Sequence, residues 1–252
     1  MKTRPKKTML VTGAAGGIGA QIARLAVASG HRVIAADVNL PGVKRPAGEI
    51  GPGAVAMSLD ITAADAWDRV LDAVWDRFGG LDILVNNAAI VHPGQALDVA
   101  IDCHQQTMGT NFMGALKGMM AVLPRFRAQG SGHLVTVCSM TAFLPSAGLA
   151  SYAAAKHALR AFHHAVAIEE RDSATAFTII HPSATETPML EQEAREEAAA
   201  MAFVRDPMDP AEVAGIVLKA IRARKLEVYV PANRGPTVRR QSAPAAGNGG
   251  DE

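Results

Sequence analysis

The chain is poor in rings and in sulfur. Only 4 % of its 252 residues are aromatic, and it holds two tyrosines, two tryptophans and two cysteines. Chemistry that needs a phenol is therefore confined to Tyr152 or Tyr229. Cys103 and Cys138 form neither a CxxC pair nor a disulfide framework. The eight histidines lack ligand spacing, and the adjacent His163 and His164 point to different faces of a helix, so no metal is expected. No stretch of 18 uninterrupted apolar residues occurs, which excludes a membrane span of the usual kind. The basic N-terminus lacks the apolar segment and cleavage site of a secretory signal. Excess charge of one sign is also missing: residues 8–234 carry 19 basic and 22 acidic side chains, a net of −3. A nucleic-acid-binding body shows a basic excess instead. These absences lead to the expectation of a cytoplasmic protein with a small-molecule partner and with neither nucleic acid nor membrane.

What is plentiful is small and apolar. Hydrophobic residues make up 49 % of the chain, and 48 residues are alanine, which lets helices and strands approach closely. Apolar strand-like runs at Thr8–Thr12, Arg32–Asp37, Val55–Ser58, Leu81–Asn86, His133–Cys138, Ala176–His181 and Glu227–Val230 alternate with helix-length segments. Those helices are expected near Ala20–Ser29, Ala63–Phe78, Cys103–Gln129, Ser151–Arg171 and Pro210–Lys225. The alternation predicts an α/β fold whose parallel sheet is buried on both faces. Pro41–Gly53, with three prolines, reads as a loop in place of a crossover helix. Pro188–Met208 has helical composition and reads as an insertion at the sheet's carboxyl edge, its acids facing solvent. The organisation expected is a basic arm over residues 1–7, one domain over 8–234 and a disordered tail over 235–252.

Directly after the first strand comes Thr12-Gly13-Ala14-Ala15-Gly16-Gly17-Ile18-Gly19, followed by a helix. Glycines there let the backbone turn tightly and approach a pyrophosphate, and the helix N-terminus supplies N–H donors. No Gly-Lys-Ser/Thr follows, which argues against an ATP P-loop. The architecture is thus a Rossmann-type doubly wound sheet of about seven strands with helices on both faces. Asp37 ends the second strand, 18 residues past Gly19. A carboxylate there accepts from the adenosine ribose hydroxyls and repels a 2′-phosphate, favouring NAD over NADP. Lys44 and Arg45 lie nearby and partly offset that repulsion.

Ser139 follows the fifth strand, and thirteen residues later comes Tyr152-Ala153-Ala154-Ala155-Lys156. Residues four apart share a helix face, so Tyr152 and Lys156 can meet one ligand. A phenol with a pKa of about 10 is a poor base at neutral pH. A neighbouring ammonium stabilises the phenolate and is expected to lower that value. Ser139 can hold a substrate oxygen against the phenol. Alone, a tyrosine and lysine at this spacing are more often a packing residue and a surface charge; with Ser139, the glycine turn and Asp37 they form a constellation.

From Thr8 to Val230 the chain resembles the short-chain dehydrogenase/reductase family, in its branch of roughly 250 residues. The matching motifs are Thr12–Gly19, Asp60, Asn86-Asn87-Ala88-Ala89, Asn111, Ser139, Tyr152 and Lys156. The resemblance implies that Tyr152 is the general acid/base, that Ser139 positions substrate, and that Lys156 tunes the phenol and binds the nicotinamide ribose. It implies that Asn111 holds a relay water. It also implies a cofactor surface of Gly13, Ala15, Gly17, Ile18, Gly19, Asp37, Asp60, Ile61, Asn87, Ala88, Ala89, Tyr152, Lys156, Pro182, Thr185 and Thr187. Asp60 and Ile61 would face the adenine and Thr187 the nicotinamide carboxamide. Asn86 and Asn87 could instead chiefly satisfy loop backbone, and Asn111 could cap or kink its helix. Three positions depart from the family pattern: Ser183 where glycine usually follows Pro182, Ala89 where glycine is commoner, and Thr136 where asparagine is frequent.

The implied activity is NAD-dependent transfer of hydride between nicotinamide and a secondary alcohol or its ketone. Phe143–Leu149 and Thr187–Val204 are expected to line a pocket through Phe143, Leu144, Met189, Leu190, Met201 and Phe203, which favours a hydrophobic or alicyclic alcohol. The alternatives are an NADP-preferring ketoreductase and, at lower weight, a non-catalytic dinucleotide-binding regulator. The helices over Cys103–Gln129 and Ser151–Arg171 are the family's dimer surface, implying a homodimer or homotetramer.

Overall fold

The computed structural model describes residues 6–199 and 206–234. Seven strands form one sheet: β1 (Thr8–Thr12), β2 (Arg32–Asp37), β3 (Ala54–Ser58), β4 (Ile83–Asn86), β5 (Gly132–Val137), β6 (Thr175–Pro182) and β7 (Glu227–Val230). Their order is β3-β2-β1-β4-β5-β6-β7, and every pairing is parallel. The helices are α1 (Gly17–Ala28), α2 (Leu40–Ile50), α3 (Ala66–Phe78), α4 (Ile101–Met108), α5 (Ala115–Gln129), α6 (Ala150–Glu169), α7 (Pro188–Glu193) and α8 (Pro210–Ala223). This is the doubly wound, seven-stranded α/β architecture that the alternating pattern predicts. The strand order reverses between β1 and β4, and in such sheets the crevice outside the carboxyl ends at that point takes ligands.

Side-chain alternation sorts the core onto the two faces of the sheet. Leu10, Leu84 and Leu134 join α3 and α5 in one apolar cluster. Met9, Val11, Ile83, Val85 and Val135 join α1 and α8 in the other. Trp67 on α3 is the largest fully buried side chain, and its indole N–H donates to Ile61 O at 3.1 Å. Gly118 on α5 lets the two helices close on each other, since a Cβ there would sit 2.5 Å from the Trp67 ring. Trp67→Ala should cost about 3–5 kcal/mol of unfolding free energy by opening this cavity. Urea denaturation measures it, and a loss below about 1 kcal/mol would mean that the site collapses around the smaller side chain.

Two segments differ from expectation. Residues 41–53, read as a loop, contain α2. Asn39 caps the helix by accepting from Gly42 N at 3.0 Å, and Pro41 occupies a first-turn position where its missing N–H costs nothing. Val43, Pro46 and Ala47 form a buried stripe, so packing outweighs the bond that Pro46 cannot make. The span Cys103–Gln129, read as one helix, is α4 and α5 joined by a π-helical turn over Gly109–Gly114. Such wide turns are frequent at functional sites. The expected tail over 235–252, and residues 1–5 of the arm, lie outside the described residues, as do Met201, Phe203 and Val204.

Candidate functional site

The crevice is built first from backbone. Gly13 and Gly17 have φ of +66° and +52°, conformations that favour glycine. A Cβ on Gly13 would lie 2.7 Å from Ala88 Cα, so the turn after β1 presses against the loop after β4. Thr12 ties the two together: its hydroxyl accepts from Asn87 N and Ala88 N, at 2.9 and 3.1 Å, and donates to Val85 O. Asn87 Nδ2 donates to Thr12 O and Gly13 O at 2.9 and 3.3 Å. Asn87 therefore braces the turn, and Asn86 donates to Ala115 O.

α1 starts on Gly16 and Gly17 with no side chain capping its first N–H groups, and a Cβ on Gly16 would meet nothing within 4 Å. Open space over uncapped N–H donors is what a pyrophosphate requires. Asp37 faces this turn: Oδ2 accepts from Ala15 N at 3.0 Å and Oδ1 from Asn39 N at 2.9 Å. Lys44 and Arg45, read as loop residues beside it, lie on the exposed face of α2. Asp60 forms a tight turn by accepting from Thr62 N and Oγ1, and these bonds hold its carboxyl below the ordinary range. Ile61 is buried against Gly114. Thr187 caps α7 and lies 3.0 Å from where a Gly17 Cβ would be, so the segment after β6 closes over the glycine turn. Thr185 donates to Ser183 O, and Ser183 N donates to Val230 O. The donor set and the open turn fit a nicotinamide dinucleotide.

Three elements bring the polar groups together at the other end. Ser139 lies beyond β5, where its hydroxyl accepts from Thr141 N at 3.1 Å. Tyr152 and Lys156 lie on α6, one turn apart. The Ser139 hydroxyl lies near enough to the Tyr152 phenol to favour its ionised form. Lys156 is 2 % exposed; its Nζ lies 5.5 Å from the centre of the Tyr152 ring and donates to Val137 O at 3.3 Å. The ammonium thus sits over the ring and is anchored to β5, and burial pushes its pKa down.

This corrects the expected titration. Burial pushes the phenol well above its ordinary range, Glu193 adds to the rise, and only the Ser139 hydroxyl opposes it. The direction of this shift favours the protonated phenol.

Asn111 lies in the π-helical turn, 1 % exposed, with Oδ1 accepting from Ile90 N and Nδ2 donating to Ile90 O, both at 2.8 Å. It clamps the turn to the loop after β4, which also carries Ala88 and Ala89. Tyr229 is buried against Phe143 and His181, as a structural residue. Phe143, expected in a pocket, packs there too, with Arg160 stacked on its ring. Around Tyr152 the wall is instead Val91, Leu149, Met189 and Ala199.

Two participants escape the motif reading. The two ring nitrogens of His181 face Ser139 O at 3.1 Å and Glu227 Oε1 at 3.0 Å, and the ring so fixes the backbone that carries the site's hydroxyl. Both partners are acceptors, which suits a doubly protonated ring, whereas burial pulls His181 the other way. Glu193, expected in solvent with its neighbours, is 8 % exposed, and burial raises its pKa to about 7. The signal lies in the spacing, since residue 193 falls on the helical face of Met189 and Leu190.

A doubly wound parallel sheet with an uncapped glycine turn at its reversal point defines a dinucleotide-binding α/β protein. The model of the short chain dehydrogenase family matches residues 7–198, and the chain belongs to that family of oxidoreductases. It is 33 % identical over 186 residues to a 2,5-dichloro-2,5-cyclohexadiene-1,4-diol dehydrogenase of Sphingobium indicum, covering 73 % of this chain and 74 % of the relative. It is 32 % identical over 183 residues to a 3-alpha-(or 20-beta)-hydroxysteroid dehydrogenase of Mycobacterium tuberculosis, covering 73 % and 70 %. Among solved structures, a 3-ketoacyl-(acyl-carrier-protein) reductase of Brucella melitensis complexed with NADH superposes with a TM-score of 0.81 at 29 % identity, covering 89 % of this chain and 96 % of that one.

Proposed function

We propose that the protein is an NAD-dependent dehydrogenase acting between a secondary alcohol and its ketone, on a hydrophobic or alicyclic frame, with residues 8–234 as the functional unit. The observation that carries this reading is the meeting of Tyr152, Ser139 and Lys156 beyond β5, in a sheet whose first strand ends in the uncapped glycine turn. The nicotinamide, when bound, supplies or takes the hydride. Tyr152 Oη passes the proton to or from the substrate oxygen, and its protonated form is the one a carbonyl reduction draws on. Ser139 holds that oxygen against the phenol, and His181 fixes the Ser139 carbonyl. Lys156, anchored on Val137 O, would hold the nicotinamide ribose, and Asn111 would hold a water on the path from Lys156 to solvent. Gly13, Ala15, Gly17, Ile18, Gly19, Asp60, Ile61, Asn87, Ala88, Ala89, Pro182, Thr185 and Thr187 would form the remaining cofactor surface.

The apolar wall around Tyr152 supports the substrate class, as do relatives named for a cyclohexadienediol and a hydroxysteroid. NAD is preferred because Asp37 places a carboxylate beside the turn at the end of β2. Asp37→Ala should move the ratio of kcat/KM values toward NADP by roughly tenfold, equivalent to about 1.4 kcal/mol of relieved repulsion. An unchanged ratio would mean that Asp37 does not read the ribose. Exposed Ile101, Met113 and Met120 along α4 to α5, with Ile168 on α6, support a homodimer or homotetramer through those helices. No helix among the described residues is long and apolar enough to cross a membrane, which accords with a cytoplasmic location. A spectrophotometric screen of alcohols and ketones with both cofactors tests the activity; no turnover with any of them would sink it.

A further inference from the structure

Glu227 is used by none of the steps above, yet it joins the two elements that carry the reacting groups. It opens β7, and its Oε1 meets Arg160 Nε at 3.1 Å, His164 Nε2 at 3.2 Å and His181 Nε2 at 3.0 Å. Arg160 and His164 belong to α6, where Tyr152, Lys156, Arg160 and His164 follow one another at intervals of four residues. Residues so spaced form one row along a helix. The row that starts with the phenol and the amine therefore ends on the Glu227 carboxylate.

The other side of that carboxylate leads to Ser139. His181 is fully buried on β6, and its Nδ1 lies 3.1 Å from Ser139 O. The strands alone do not make this link. β5 and β6 stay paired as far as the bond from Cys138 N to Ile180 O at 2.7 Å, and Pro182 has no N–H with which to extend the ladder. The imidazole takes over where the ladder stops. The turn that follows Ser139 is gripped as well: Phe143 packs edge-on against His181, 4.7 Å between ring centres, with the Arg160 guanidinium 4.2 Å from its own ring centre. An ion pair that merely held β7 to α6 would not need this further reach to Ser139.

We propose that Glu227 is a positioning residue which, through His181, sets the place of the Ser139 backbone relative to Tyr152 and Lys156. It touches no reacting atom. It holds α6 by Arg160 and His164 and the Ser139 turn by His181, and so fixes how far the serine hydroxyl stands from the phenol. Misplacement of reacting groups by about 1 Å costs up to about a hundredfold in rate. The proposal rests on the oxidoreductase reading and adds to it a residue outside the motifs.

The test uses the full chain, NAD and whichever alcohol the screen finds to be oxidised, starting from cyclohexanol. Glu227→Ala should lower kcat about tenfold, while NADH affinity by fluorescence titration stays that of wild type. Glu227→Gln keeps an acceptor oxygen in place and should recover the rate to within about threefold of wild type. Glu227→Asp keeps the charge but draws it back by one methylene, and should be slower than Glu227→Gln. His181→Gln leaves Ser139 O without its ring donor and should be about as slow as Glu227→Ala. Because Glu227 acts through His181, adding Glu227→Ala to His181→Gln should slow it by no more than about twofold. Glu170→Ala is the structural control: it breaks the ion pair with Arg127 at the far end of α6, and should lower the thermal midpoint while kcat is retained. Losses that multiply in the double variant, or kcat that follows thermal stability through the whole set, would overturn the role of Glu227 and leave the oxidoreductase reading standing. If Glu227→Ala does not fold, the order of the other two substitutions decides, and Glu227→Asp as fast as wild type overturns the role. A wild type that oxidises no alcohol in the screen would overturn that reading, and this proposal with it.

Discussion

Replacing Tyr152 by phenylalanine should lower kcat/KM by about 10²–10⁴-fold, the range that a positioned proton donor contributes, while NADH still binds. The ring remains to fill the space among Val91, Leu149 and Met189, and only the hydroxyl near Ser139 is removed. Loss of turnover with retained binding separates proton transfer from packing. Fluorescence titration of NADH and steady-state rates measure the two quantities, and full activity in the variant would end the proposed mechanism. The direction of the phenol's shift adds a sign. Burial raises the Tyr152 pKa, so the proton-accepting form is the minor species at neutral pH and the proton-donating form is the major one. Alcohol oxidation by wild type should therefore rise with pH across the neutral range, and ketone reduction should show no such rise. Oxidation that falls with increasing pH would place the essential base elsewhere.

The second large effect is expected at Gly19, in the first turn of α1. A methyl group there would collide with Gly13 O and stand 2.5 Å from Asn87 Nδ2, the atom that braces the turn. Both neighbours are held, one by backbone and the other by two hydrogen bonds, so neither can yield cheaply. Overpacking of this kind costs about 1–3 kcal/mol. If the cost falls on the binding conformation, Gly19→Ala weakens NADH binding by roughly five- to 150-fold. Gly48→Ala is the matched control: it lies in α2 with nothing within 4 Å of an added Cβ, and binding should be unchanged. Equal affinity in Gly19→Ala and wild type would show that the turn reforms around the methyl group.

The contrast between these glycines bears on what a sequence makes readable. β1, β2 and β7 are bounded to the residue by their pattern, because apolar runs between helical segments have few other places to go. Tyr152, Lys156 and Ser139 are readable because a phenol, an amine and a hydroxyl at this spacing, behind a glycine turn, suit few other chemistries. α2 is not, since three prolines outweigh the Asn39 cap and the Val43, Pro46, Ala47 stripe, whose value depends on a sheet to pack against. The π-helical turn at Gly109–Gly114 has no periodic signature, and it widens where Asn111 grips Ile90, a contact between segments 21 residues apart. The shift of the phenol and the burial of Glu193 are out of reach for one shared reason. Both depend on how much water the fold removes, and charge type alone does not carry that information.

The bond from Ala15 N to Asp37 makes the acid proposed to read the ribose part of the scaffold of the turn proposed to hold the pyrophosphate. Conversion of such a protein to the phosphorylated cofactor is then a coupled redesign. Removing the carboxylate takes away a repulsion and, in the same stroke, an anchor for Ala15 and for Asn39. Asp37→Asn removes the charge and keeps one of these two bonds, since its amide nitrogen cannot accept the other, and a cation can then be recruited from the exposed face of α2, where Lys44 and Arg45 already stand. Cofactor choice and loop order would thus evolve together, along a path of two steps whose order matters.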